Sequence, residues 1–239
     1  MVNINSVRNS ILAICNKNNY GYISPSDFNL FAKVAQIEIF DEYMKLYNYY
    51  INRENDRTSG SDLADVAEKA REDIEVFVTE AGLINVPPTT NGFSIFTEPS
   101  DLYHLNLLTY ALAAPSTKTV KIDKVSRLDA AYLANANLCP PTLEHPVFAQ
   151  SDGKVRVLPL QITSSVNAVY IRYPLVPTWG YLSLSSGEPV YDLATSQDFE
   201  VAGEDEPRLV QKILEVAGLS IREPDVYRFA EKNDNTIQQ

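Results

Sequence analysis

Two histidines, two cysteines and thirty-one acidic residues are the groups in this 239-residue chain that could act on a substrate or hold a metal. A nucleophilic triad needs a base, so it would have to use His104 or His145. His145 sits between Glu144 and Pro146, six residues after Cys139, and only that proximity suggests a Cys–His pair. His104, in Leu102-Tyr-His-Leu, reads as a strand histidine bonded to a neighbour. Neither histidine belongs to a CxxC or HExxH frame, which removes the usual patterns for zinc. The nine glycines form no GxxxxGK[ST] or GxGxxG loop, so no phosphate cradle is encoded. The acids allow many carboxylate pairs of the kind that cleave glycosides, and no pair stands out.

The stretch Asn16-Lys-Asn-Asn-Tyr-Gly-Tyr-Ile-Ser-Pro-Ser-Asp27 copies the frame of an EF-hand, with Gly21 at the sixth position and Ile23 at the eighth. Its ligands do not follow. Asn16, Asn18 and Tyr20 occupy positions where carboxylates are wanted, and the shorter Asp27 stands in for the closing Glu. One carboxylate does not replace the hydration of a calcium ion, so Gly21 is read as a helix end and Asp27 as a cap. No metal and no cofactor are expected.

Aromatic residues are the remaining opening. Tyr43, Tyr47, Tyr49 and Tyr50 crowd one end of a helical stretch, and Trp179 and Tyr181 lie in Pro177-Thr-Trp-Gly-Tyr. Base stacking needs interleaved cations, and Lys45 and Arg53 are too few beside the local acids. Tyr and Trp also suit protein interfaces, where an apolar body and a polar tip are both useful. Tyr43, Tyr47, Tyr50, Trp179, Tyr181 and Phe229 are therefore the candidate interface residues.

These residues depend on a long helix from Ser24 to about Tyr50. Ser24 is the expected N-cap, Pro25 the first helical residue and Asp27 the closing acid of a capping box, with Ile23 and Phe28 as a hydrophobic staple. Asn29, Lys33 and Gln36 share a polar stripe opposite Leu30, Phe31, Val34 and Ile37. Farther along, Glu38, Asp41, Glu42 and Lys45 fall on the formerly apolar side, and Phe40, Tyr43, Met44 and Tyr47 on the other. An exchange of faces predicts different neighbours at the two ends, one of them in another chain.

A short amphipathic helix over 4–15 precedes this one, and a helix over 62–80, closed by Gly82, follows the polar loop 52–61. Pro87-Pro88 marks a change to β-type runs at 93–96, 102–112, 119–125 and 166–173, with a short helix over 127–137. Asp152-Gly153 predicts a tight hairpin. Helix returns with Leu209, Val210, Ile213, Leu214 and Ala217, capped by Gly218, and again after Pro224. The expected fold class is α+β: a helical hairpin or bundle from both chain ends with an inserted antiparallel β-rich domain. The expected domains are 1–85, 86–203 and 204–239, the last packing on the helical region.

Twenty basic against 31 acidic residues, net −11, exclude a general nucleic-acid coat and are compatible with a wall that DNA slides past. Cys15 and Cys139 read as reduced thiols. No apolar run reaches the length of a membrane span, and the N-terminus lacks a signal-peptide pattern.

Three stretches together resemble a known group of proteins: GYISPSDFNLFAKVAQIEIFDEY at 21–43, HPVFAQSDGKVRVLPLQITSSVNAVYIRYPLVPTWGY at 145–181 and EDEPRLVQKILEVAGLSIREPDVYRFAEK at 204–232. They are similar to head-to-tail connector ring proteins in the virions of crAss-like and related podovirus-type phages of Bacteroidetes. The resemblance implies a structural protein, not an enzyme, in a homo-oligomeric ring, twelve-fold to match the portal. Portal and adjacent tail rings would be its partners, and genomic DNA would pass through without sequence-specific binding. It implies location in the virion neck, assembly in the host cytoplasm, no membrane contact and no small-molecule substrate. A tail-associated hydrolase and a degenerate EF-hand-like binding module are the alternatives.

Overall fold

A computed structural model describes residues 1–17, 23–55, 62–87, 92–112, 118–185 and 187–221. In chain order the elements are α1 (Ile4–Lys17), α2 (Pro25–Asn55), α3 (Asp62–Glu75), β1 (Val78–Gly82), β2 (Ile84–Asn85), β3 (Ser94–Thr97), β4 (Leu102–Ala111), β5 (Thr119–Lys124), α4 (Arg127–Ala134), β6 (Val147–Ser151), β7 (Lys154–Leu158), β8 (Val166–Arg172), β9 (Tyr181–Ser183), β10 (Pro189–Tyr191) and α5 (Glu206–Ile221). They divide into two compact units, Met1–Val76 with Pro174–Gln239, and Phe77–Tyr173.

The second unit is an eight-stranded sheet in the order β1-β8-β4-β5-β6-β7-β3-β2. β1 and β2 stand at opposite edges of that order, yet only Leu83 separates them in the chain. One bent strand thus pairs with β8 on one side and β3 on the other, and the sheet nearly closes into a barrel. Shifts of register in β4, between Leu102 and His104 and between Leu105 and Leu107, supply curvature. Side chains that alternate inward, including Phe96, Leu108, Ile122, Phe148, Val157 and Tyr170, fill the interior. β5 and β6 run parallel and so need a crossover, which α4 provides. Ser126 caps α4 by accepting from the Asp129 amide at 3.1 Å. The helix packs on the sheet's outer side in a second cluster of Phe93, Ala130, Ala149 and Leu158. Asp152 and Gly153, both at positive φ, make the tight turn of the β6–β7 hairpin.

In the terminal unit, α2 packs with α3 and α5, and α1 with α5. Residues 174–205 add irregular chain, the small β9–β10 ribbon and two short 3-10 turns. Val2 bridges Phe199, and the Asp198 carboxylate accepts from the Ile4 amide at 2.9 Å at the start of α1.

The expected fold class is corrected on this evidence of topology. The β region is a mixed, nearly closed barrel rather than an antiparallel insert, because the α4 crossover forces a parallel pair. The chain ends do not form a hairpin or bundle of helices, because residues 174–205 build part of the same unit in extended and looped form. The helix expected over 62–80 stops at Glu75, and Gly82 pairs with Asn167 in β1 instead of capping it. Helical spacing continues through Phe77, but β-branched Val78 and Thr79 have a ladder waiting in β8, and tertiary pairing decides. α5 continues past Gly218. The helix expected after Pro224, with Phe229, lies outside the described residues.

Phe96 is fully buried at the centre of the barrel interior. Replacing it with Ala should cost about 3–5 kcal/mol in urea unfolding of the chain.

Candidate assembly surfaces

The start of α2 has the expected capping box: the Ser24 hydroxyl accepts from the Asp27 amide at 3.2 Å and donates to its carboxylate at 2.6 Å. The rest of the EF-hand frame, 18–22, lies outside the described residues. Along the helix the faces do not exchange. Phe28, Phe31, Ala32, Ala35, Gln36, Ile39, Phe40, Tyr43 and Met44 are buried in one stripe that moves gradually round the axis. The two polar residues nearest that stripe, Asn29 and Gln36, have partners in the irregular chain. Asn29 accepts from the Trp179 amide at 2.8 Å and donates to its carbonyl at 3.3 Å. Gln36 donates to the Leu175 carbonyl at 2.7 Å and accepts from the Glu200 amide at 3.3 Å. Leu30, Val34 and Ile37, on the opposite side, are 59%, 37% and 38% exposed.

Farther along α2, Glu42 is shared by Arg208 and Lys212 of α5, with Lys212 Nζ 3.0 Å from its carboxylate and 3.8 Å from that of Glu38. Lys212 is buried, so these carboxylates hold a cation that the apolar face of α5 carries inside. The Tyr43 hydroxyl donates to Asp205, and burial first, then that carboxylate, push its pKa far up. Tyr43 is therefore a neutral hydrogen-bond donor and is closed to solvent. A cleft of about 720 Å³ beside it is lined by Tyr50, Glu68, Lys69, Asp73, Glu204 and Arg208, among others. Exposed Lys69 and Glu204 pair at 2.8 Å. Burial raises the Asp73 pKa, Lys69 opposes the rise, and Asp205 and Glu204 add to it.

Trp179 is likewise an internal anchor. Its indole donates to Asn5 at 3.1 Å, the Arg8 guanidinium lies 3.9 Å over its ring, and Tyr181 and Tyr191 flank it at 5.7 and 5.8 Å. A side chain at Gly180 would collide with Thr195, whose Oγ1 would be 2.1 Å from the new Cβ, so the backbone passes there only because the residue is glycine. Of the candidate interface residues, Tyr43 and Trp179 are buried in their own unit, Tyr47 and Tyr50 are half-buried and Tyr181 is exposed.

No family model matches the chain, and no curated protein sequence does. The chemistry-bearing residues are dispersed. His104 is exposed on β4, His145 and Cys139 are exposed in the chain between α4 and β6, and burial raises the Cys15 thiol and blunts it as a nucleophile. Among the described residues no group of His, Cys, Asp and Glu could hold a metal ion. Leu30, Val34 and Ile37 lie opposite Asn29 and Gln36, as their spacing implies, but they are exposed while Phe31 beside them is buried. Their i, i+4, i+7 spacing was the signal, and it marks a second apolar face rather than the core.

Two outcomes test this account. Glu42→Gln should destabilise the terminal unit by about 3 kcal/mol in urea melts, because it leaves two cations of α5 without their shared acid. Asp73 has its pKa raised on folding, so the native state holds more protons than the unfolded chain between the ordinary aspartate range and the raised value, and stability falls as pH rises through that window. Asp73→Asn should therefore raise Tm at pH 7 and leave it nearly unchanged at pH 3, as read by circular dichroism.

Proposed function

We propose that this chain is a structural virion protein that forms a ring in the head-to-tail connector of a crAss-like or related podovirus-type phage, between portal and tail. The observation that carries the reading is the Leu30–Val34–Ile37 stripe, which stays exposed on a helix whose opposite side is already fully packed. Three apolar side chains aligned on one exposed helix face form a docking stripe, and covering it with a neighbouring subunit removes that surface from water. The sequence resemblance over the start, middle and end of the chain supports the same reading and implies twelve copies, to match the portal. A net charge of −11 suits a wall that genomic DNA passes without adhering. On this reading the protein has no catalytic role, and its partners are further copies, the portal and the adjacent tail ring.

Electron microscopy of the purified chain, alone and co-expressed with its portal, checks the proposal. Closed rings are the expected outcome. A chain that stays monomeric under both conditions overturns it. The double substitution Leu30→Ser, Val34→Ser should lower ring yield severalfold while leaving Tm within a few degrees, since both side chains already face water in the monomer.

A further inference from the structure

The outer side of the barrel carries a cleft whose charge is opposite to that of the chain. It has a volume of about 530 Å³ and an apolar floor that includes Phe93, Leu128, Ala131 and Ala149. Among the described residues Arg127 and Arg156 are its charged ones, and no carboxylate lines it. Arg156 rises from β7 between Ala149 of β6 and Ile95 of β3. Its Nε is buried and has no hydrogen-bond partner among the described residues. A guanidinium fork set in an apolar cleft is a receptor for a carboxylate carried on an apolar body.

The β9–β10 ribbon presents that chemistry. Leu182 pairs with Val190, and the Leu184 amide donates to the Glu188 carbonyl at 3.0 Å, so the side chains of 182, 184, 188 and 190 stand on one face. On the other face Tyr181 and Tyr191 lie against Trp179. Leu182, Leu184 and Val190 are exposed, and the exposed Glu188 places a carboxylate beside them. Among the described residues both edges of this two-stranded ribbon are unpaired.

We infer that the outward face of this ribbon in one copy seats in the arginine-bearing cleft of the next, with the Glu188 carboxylate on the Arg156 guanidinium. This rests on the ring reading and names one lateral contact of that ring, beside the covered Leu30–Val34–Ile37 stripe. The two surfaces differ, so the contact is heterologous: each copy offers a ribbon to one neighbour and a cleft to the other, and the series closes when the rotation permits. Apolar side chains enclose the charge pair and withdraw it from water, where a single unpaired partner is costly.

The test uses the full chain, with rings formed alone or on the portal, and reads association by sedimentation velocity and electron microscopy. Glu188→Arg and Arg156→Glu should each weaken association about thirtyfold. The two substitutions together in one chain should restore it. Thermal melts of each variant verify folding, and Arg156→Met with Glu188→Gln supply the same comparison without charge reversal if Arg156→Glu does not fold. Rings that survive both single substitutions, or a double variant no better than the singles, overturn this contact and leave the ring reading standing. A chain that remains monomeric with and without portal overturns both.

Discussion

Irregular chain beside a helix must find partners for its backbone amides and carbonyls, and in the terminal unit two side chains of α2 supply them. Asn29 holds both the amide and the carbonyl of Trp179, and Gln36 holds the Leu175 carbonyl and the Glu200 amide. The buried Glu200 carboxylate in turn accepts from the Leu175 amide at 2.8 Å. Without these bonds the chain at 174–200 would bury unsatisfied groups at about 1–3 kcal/mol each. With them, Trp179 is fixed, and Arg8, Asn5, Tyr181 and Tyr191 can assemble on its indole. The ribbon then stands on a rigid aromatic base instead of depending on its own two strands, which would be marginal alone.

The barrel solves a different problem by closure. An open sheet of seven or eight strands has two exposed edges, and here a single bent strand occupies both. That arrangement puts a buried face inside and leaves the outer face of β6 and β7 to be covered by α4. A helix of eight residues covers only part of it. The arginine-bearing cleft is the uncovered remainder, so its position follows from the length of the crossover helix.

Local chemistry was legible in the sequence wherever a few adjacent residues decide the backbone. The Ser24–Asp27 capping box and the Asp152-Gly153 turn are of this kind, because their hydrogen bonds and φ values are satisfied within four residues. Distance in the chain defeated the rest. Asn29 and Gln36 look like a solvent stripe until their partners, some 140–150 residues away, are known. Their polarity hides the fact that their side of α2 is the packed one, and that Leu30, Val34 and Ile37 are the face left exposed. Glu42 misled in the same way, since Arg208 and Lys212 of α5 draw it inward. Tyr43 and Trp179 were rightly marked as aromatics with polar tips, but the Asp205 and Asn5 acceptors that claim those tips belong to the same unit. Nothing local marks Arg127 and Arg156 as neighbours, because the hairpin and crossover bring them together.

Net charge sets a condition on self-assembly that apolar patches alone do not meet. Copies at −11 repel one another, and at physiological salt screening confines that repulsion to about 8 Å, which is the range at which subunits must orient. Apolar faces are attractive but indifferent to direction. On the proposed contact, a basic cleft on an acidic molecule supplies what is missing: a place for another copy's carboxylate, while the remaining surface discourages approach. In the ring proposed above, the acidic surface limits the ways in which two copies can meet, and the cleft gives the permitted one its polarity. A contact with a donor face and an acceptor face propagates in one sense from copy to copy, and a closed ring requires that property of its subunits.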